Sequence, residues 1–332
     1  MNILVTGGLG YIGSHTIVEL SGISSSIHII DNLSNSSLGT FANLQTLLPS
    51  KSLTLHQGDL RDPLFLSNVF SHPIDAVIHF AALKAVGQSM ENPLDYYQVN
   101  VGGTVNLLKA MKQANVQKFI FSSSACVYGD QGGIYTEACP TAAVNVYGKT
   151  KVVVEQVIYD YSKANSAFQA IILRYFNPVG AHPSGLIGED PNGIPDNLVP
   201  FIQKVVTGRL EKLNVFGNDY VSNDGTAIRD YIHIVDLARG HVVALNHLKQ
   251  GVEVFNLGTG KGTTVLELLK TYEKVINRPI PFEIVGRRDG DVNTLQSIPT
   301  KANNILGWVA EKTVEDMCRD SWNYISKKIE LS

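Results

Sequence analysis

Cysteine is scarce in this 332-residue chain, which has three, Cys126, Cys139 and Cys318. An odd number, widely spaced and without a CxxC pair, argues against a disulfide framework and gives no zinc-ligand spacing, so no metal is expected. A reducing compartment follows, and the cytoplasm is the expected location. No apolar run reaches the length of a membrane span. The N-terminus has neither the basic stretch nor the cleavage site of a secretion signal. Charge of one sign is also lacking: 27 Lys and Arg against 30 Asp and Glu leave a net charge of −3, which offers no basic field for nucleic acid. Internal repeats, heptad runs and low-complexity tracts are absent. What is left is a globular chain long enough for a large core and two domains, acting on a small-molecule ligand.

The first positive signal is the stretch TGGLGYIGS. Ile3, Leu4 and Val5 read as a strand that runs into Thr6, Gly7, Gly8, Gly10 and Gly13, and a helical pattern begins at Ser14. Gly7, Gly10 and Gly13 make GxxGxxG, while Gly8, Gly10 and Gly13 make GxGxxG. A plain strand-to-helix turn would show the same glycines. Context decides, because a second apolar strand over 27–30 ends at Asp31, eighteen residues after Gly13. Glycines let backbone N–H groups approach a pyrophosphate at the positive end of a helix. A carboxylate at Asp31 accepts hydrogen bonds from the adenosine ribose and repels a 2′-phosphate. The loop reads as a dinucleotide site favouring NAD over NADP.

Further strands are expected over 53–56, 75–80, 118–122 and 170–174, with helices such as 101–113 and 149–164 between them. This alternation predicts an α/β fold with a doubly wound parallel sheet. Ligands then lie beyond the carboxyl ends of the strands, where Asp31, Asn32, Asp59, residues 80–84 and the serines at 122–124 fall. From about Asn177 the chain turns rich in Pro, Gly, Asn and Asp, too irregular for a sheet layer. A helix over 199–206, strands over 213–216 and 228–232, and a helix over 235–248 follow, and EVFNLGTG is expected to return a strand to the main sheet. The expected domains are 1–176 and a smaller α/β substrate lobe over 177–332, with part of 228–260 rejoining the main sheet.

Tyr147 with Lys151 four residues on is the candidate for chemistry. Tyrosine is a poor base at neutral pH, but a neighbouring ammonium favours the phenolate. The same YxxxK spacing recurs at Tyr159 with Lys163 and at Tyr324 with Lys328. Position separates them: Tyr147 falls in the first turn of its helix beside the ligand loops, whereas Tyr159 is further along and rotated away, and Tyr324 is far from any cofactor motif. A hydroxyl to orient the substrate is offered by three serines in FIFSSSACVYG. Their residue type alone does not choose among them.

TGGLGYIGSH, DNLSN, GDLRD, HFAALKAVGQS, SSSACVYGD, VYGKTK, LRYFNPVGAHPSG, GEDPNGIPDNL, FGNDY, DGTAIRDYIHIVDLA and NLGTG together resemble the UDP-galactose (UDP-glucose) 4-epimerases of the extended short-chain dehydrogenase/reductase superfamily. The resemblance covers nearly the whole chain and is weakest over 33–52 and 292–332. It implies a Rossmann-like domain, tightly held NAD, a UDP-hexose substrate and a homodimer. It assigns NAD to Gly7, Gly10, Tyr11, Ile12, Gly13, Asp31, Asn32, Asp59, Leu60, Phe80, Ala81 and Lys84, and catalysis to Ser124, Tyr147 and Lys151, the last two also touching the cofactor. The UDP-sugar falls to Asn177, Asn197, Leu198, Phe216, Arg229, Arg288 and Asp291, with Ser124 and Tyr147 at its reacting end. The guanidinium of Arg229 or Arg288 suits pyrophosphate.

The implied mechanism is transient oxidation at C4: Tyr147 removes the 4′-hydroxyl proton, a hydride passes to the nicotinamide, and the 4-keto sugar turns over before reduction on its other face. Three departures matter. Val99 stands where the family usually has asparagine. Ala125 and Cys126 replace the acidic residues that related nucleotide-sugar dehydratases carry after the strand-end hydroxyl. Leu295 replaces a tyrosine typical of members restricted to UDP-galactose and UDP-glucose, so UDP-GalNAc and UDP-GlcNAc stay open as substrates. Two alternatives also remain: a 4-epimerase mainly for N-acetylated UDP-hexoses, and another nucleotide-sugar-modifying enzyme of the superfamily.

Overall fold

Short apolar runs build the main sheet. The computed structural model describes residues 1–191, 193, 195, 197–288 and 291–330. Parts of the GEDPNGIPDNL and RRDGD motifs, namely Asn192, Ile194, Asp196, Asp289 and Gly290, lie outside the described residues. β1 (Asn2–Thr6), β2 (Ser26–Asp31), β3 (Ser52–Gln57), β4 (Ala76–His79) and β5 (Lys118–Ser122) join the strands Gln169–Tyr175 and Gly251–Leu257 in one seven-stranded sheet. From one edge the order is Gly251–Leu257, Gln169–Tyr175, β5, β4, β1, β2, β3. Pairing is parallel from β3 across to Gln169–Tyr175. The chain reverses its direction of winding between β1 and β4, the switch point where such sheets open a crevice. Strands covered on both faces can be apolar throughout: Ile3, Leu4 and Val5 are all fully buried. Val77, Phe119, Phe121 and Ile172 pack with Leu107, Met111, Val154 and Ile158 from the helices Gly103–Gln113 and Val146–Ala164 in one core.

The chain divides into two compact units, one made of Met1–Val127, Thr141–Arg174 and Ala238–Phe255, the other of Tyr128–Pro140, Tyr175–Leu237 and Asn256–Ser332. The second unit has its own core, with Val199, Ile202, Val215, Leu268, Leu269, Tyr272 and Met317. Its sheets are small: one has four strands, and Asn177–Val179 pairs with Tyr231–His233 in another.

Two sequence expectations are corrected here. The Pro- and Gly-rich segment from Asn177 does enter a sheet, because Asn177–Val179 pairs in parallel with Tyr231–His233. The single strand expected over 228–232 is broken into Ile228–Arg229 and Tyr231–His233, in different sheets. Asp230 causes the break. Its fully buried carboxylate accepts from the backbone N–H groups of Thr259, Gly260 and Ser297 and from the hydroxyls of Thr259 and Ser297. Alternation places Asp230 on the same face as Ile228 and Ile232, and a carboxylate buried there is stable because it is this well satisfied.

Candidate active site

The turn after β1 is shaped by its glycines. Gly7 has φ +66°, and a Cβ there would stand 2.7 Å from the backbone nitrogen of Ala81. A Cβ on Gly13 would stand 2.4 Å from the Gly7 carbonyl oxygen. Neither position admits a side chain. Gly10 is the N-cap of α1 (Tyr11–Leu20), with no side-chain cap on the helix. Tyr11, Ile12 and Gly13 therefore form a first turn whose N–H groups face away from the helix ladder, a cradle for an anion. Gly8 instead packs tightly against the side chains of Ile17 and Ile29.

Asp31 ends β2 and is buried. Its Oδ2 accepts from the Leu9 N–H at 3.0 Å, and its Oδ1 accepts from the Leu33 N–H at 3.0 Å and the Ser36 hydroxyl at 2.7 Å. The carboxylate braces the glycine turn and keeps roughly one of its lone-pair sites for a ribose hydroxyl. Asn32 donates to Asp59 at 2.9 Å, and hydrogen bonds from Arg61 hold the Asp59 carboxyl well below the usual carboxylate range. Leu60 is buried beside them. After β4, the N–H groups of Phe80 and Ala81 bond to the Thr6 carbonyl. The loop carrying Lys84 is pinned one residue earlier, where Asn100 bonds both the N–H and the C=O of Leu83. Asn100 also donates to Thr150 at 3.0 Å, tying that loop to the helix Val146–Ala164. Val99 is half-buried in the π-helical turn Tyr97–Gly102.

Asn145 starts the helix Val146–Ala164 by accepting from the Gly148 N–H at 2.8 Å. Gly148 is required here, since a Cβ would stand 2.7 Å from the Cys126 carbonyl oxygen. The close approach brings Tyr147 and Lys151 to the end of β5. Tyr147 is 6% exposed and Lys151 3%. Lys151 donates to the Ser122 carbonyl at 2.8 Å, and burial pulls its pKa down to about 8 while Glu155 and Cys126 oppose that fall. The three serines differ in what they bond. Ser123 spends its hydrogen on Glu155 at 2.6 Å, and the Ser122 hydroxyl is buried without a hydrogen-bond partner. Ser124 accepts from the Cys126 N–H at 3.2 Å, which leaves its own hydrogen for another acceptor. The two other YxxxK tyrosines have different surroundings. Tyr159 packs against the main core, and Tyr324 lies against Gly188 with Lys328 bonded to Asp190.

The second unit gathers another polar group. Arg288 donates from Nε to Asp291 at 3.0 Å, and its guanidinium lies 4.5 Å from the Phe216 ring centre. Arg229 faces the same carboxylate at 3.6 Å and donates to the carbonyls of Ile228 and Val292. Leu295 pairs with Arg229 in the strand register and is half-buried. The Asn177 N–H bonds to the Asp230 carbonyl next to Arg229, and its side-chain oxygen is buried without a hydrogen-bond partner. Asn197 precedes the helix Leu198–Val206 at its N-cap position without a side-chain capping bond, and its amide donates to Glu189 at 3.0 Å. Two guanidiniums on one carboxylate, one of them over an aromatic ring, are residue types suited to a nucleotide diphosphate.

Sequence reasoning missed Asn100, Glu155 and Arg174. Glu155 was the most accessible of them, since it continues the four-residue stripe of Tyr147 and Lys151. Among the described residues, no group of three or more His, Cys, Asp or Glu side chains is placed to hold a metal ion, and no helix is long and apolar enough to cross a membrane.

Known proteins resemble this chain in sequence and fold. Residues 3–258 match the NAD dependent epimerase/dehydratase family. The UDP-glucose 4-epimerase of Erwinia amylovora is 51% identical over 332 residues, covering 98% of each chain. The bifunctional protein GAL10 of Pachysolen tannophilus is 50% identical over 336 residues, and the chain spans about half of its length, 49%. The crystal structure of UDP-glucose 4-epimerase from Bifidobacterium longum in complex with NAD+ and UDP superposes with a TM-score of 0.95 at 46% identity, over 99% of both chains. This chain belongs to the NAD dependent epimerase/dehydratase family, and the full-length relatives it matches there are UDP-glucose 4-epimerases.

Proposed function

We propose that the chain interconverts UDP-galactose and UDP-glucose with tightly held NAD, by transient oxidation at C4 of the sugar through a 4-keto intermediate. The observation that carries this reading is the buried Tyr147 and Lys151 pair at the end of β5, next to a serine whose hydroxyl hydrogen is uncommitted. Bound NAD supplies the reversible acceptor for the C4 hydrogen. Tyr147, as phenolate, takes the proton of the 4′-hydroxyl and returns it after the sugar has turned over. Lys151, charged and aimed at the strand end, favours that phenolate and reaches toward the cofactor ribose. Ser124 orients the 4′-oxygen. Gly7, Gly10, Tyr11, Ile12, Gly13, Asp31, Asn32, Asp59, Leu60, Phe80, Ala81 and Lys84 hold the cofactor. Asn177, Asn197, Leu198, Phe216, Arg229, Arg288 and Asp291 anchor the UDP, so the nucleotide stays fixed while the sugar rotates.

The resemblance at Leu295, half-buried and paired in register with Arg229, favours wider substrate use: a leucine in place of the tyrosine of the restricted members leaves more room for the group on C2, so UDP-GalNAc and UDP-GlcNAc are proposed as substrates as well. The working unit in this proposal is a cytoplasmic homodimer. Met90 and Leu94, 59% and 81% exposed on helices that pack against Val146–Ala164, give an apolar surface for a second copy. Incubating the purified protein with UDP-galactose, without added cofactor, tests the activity. Formation of UDP-glucose to a fixed ratio supports it, and unchanged substrate refutes it.

A further inference from the structure

Glu155 lies one turn beyond Lys151 on the face of the helix Val146–Ala164 that carries Tyr147. It is 4% exposed, and its partner Arg174, from the strand Gln169–Tyr175, is 6% exposed. Arg174 donates from Nε to Glu155 Oε1 at 3.0 Å and from Nη2 to Oε2 at 2.5 Å, a two-point clamp. Ser123 adds a third bond at 2.6 Å. Two consecutive residues of the β5 end therefore hold two consecutive turns of the helix: the Ser122 carbonyl holds Lys151, and the Ser123 hydroxyl holds Glu155.

We propose that Glu155 is a positioning residue for proton transfer: locked by Arg174 and Ser123, its carboxylate is the fixed anion that keeps the Lys151 ammonium charged and directed at the end of β5. This rests on the reading that Tyr147 and Lys151 carry the proton chemistry. The groups around Lys151 leave few other candidates for that task. His79, from β4, is fully buried and neutral, its pKa lowered to about 3 by burial and by Lys151 itself. Cys126, after β5, opposes the fall of the Lys151 pKa, but less than Glu155 does. Tyr147 is the group being served. On its far side Glu155 meets Arg174 and Tyr159, and Glu253 acts on Tyr159 from the strand Gly251–Leu257.

The test compares Glu155→Gln, which keeps an oxygen for Ser123, with the double variant Glu155→Gln/Arg174→Met, which avoids leaving a buried guanidinium without its anion. Either variant that folds serves the test. Each is purified as holoenzyme, bound NAD is counted after denaturation, and kcat/KM for UDP-galactose is followed against pH. The alkaline limb should move to lower pH by about half a unit or more, with NAD content unchanged, because Lys151 gives up its proton sooner. Glu155→Asp, which keeps the charge, should restore the parent profile. An unchanged alkaline midpoint, whatever the loss in rate, would reduce the pair to a structural tie. Full activity in Tyr147→Phe would instead overturn the underlying reading.

Discussion

Lys151 donates from Nζ to the main-chain carbonyl of Ser122 at 2.8 Å, and the same nitrogen lies 5.8 Å from the centre of the Tyr147 ring. The bond fixes the lysine head at the strand end from which Ser124 also projects. It also makes the charge state of a buried lysine a control on the tyrosine.

Tyr147→Phe keeps the packing of the ring and removes the base. Turnover should fall by about 100- to 10,000-fold, with UDP affinity nearly unchanged by calorimetry. Tyr159→Phe and Tyr324→Phe should match the parent. An inactive Tyr159→Phe enzyme would move the chemistry to a different YxxxK pair.

Burial brings Lys151 down to about 8. The ammonium is present below that value and lost above it, so kcat/KM should fall as pH rises through the Lys151 value. Lys151→Met should abolish this limb together with most of the rate. A limb that persists in Lys151→Met would assign it to another group.

Asp31→Ala should strip the protein of cofactor, read as nicotinamide released on denaturation. It should also cost about 1 to 3 kcal/mol of stability, because the Leu9 and Leu33 N–H groups lose their acceptor. Full NAD content in this variant would leave Asp31 a purely structural brace.

Leu295→Tyr puts a larger ring at the position paired with Arg229 of the neighbouring strand. Activity on UDP-N-acetylgalactosamine should drop by about tenfold or more relative to UDP-galactose. An unchanged ratio, or no N-acetyl activity in the parent, would remove Leu295 from substrate selection.

His28 and His56 share a hydrogen bond of 3.0 Å, and His72 lies 5.3 and 5.2 Å from their rings. Burial first, then repulsion from neighbouring histidines, lowers the pKa of both His28 and His56 below 6.5. As pH falls through 6.5 the unfolded chain takes up protons that the folded chain resists, so stability must fall. The thermal midpoint should drop with pH in this window, and less steeply in His28→Gln. Equal slopes would place the acid sensitivity elsewhere.

The parallel sheet was legible because its strands are short apolar runs ending in polar loops, and the glycine turn because backbone geometry forbids side chains at Gly7 and Gly13. The break at Asp230 was not. A carboxylate between Ile228 and Ile232 in the alternation gives no sign of a break until its donors arrive from Thr259, Gly260 and Ser297, far along the chain. Asn100 was hidden in the same way, since its partners Leu83 and Thr150 are set by folding. Ser123 is set aside because its hydroxyl hydrogen is already spent on Glu155, and residue type carries no trace of that.

Transient oxidation at C4 is the central claim, and isotope retention tests it most directly. UDP-galactose carrying deuterium at C4 is equilibrated with the purified protein in ordinary water, without added cofactor, and the product is examined by mass spectrometry and NMR. The account requires UDP-glucose with the deuterium still at C4, because the same hydrogen leaves one face and returns to the other without meeting solvent. UDP-glucose that has lost its label to water would contradict it.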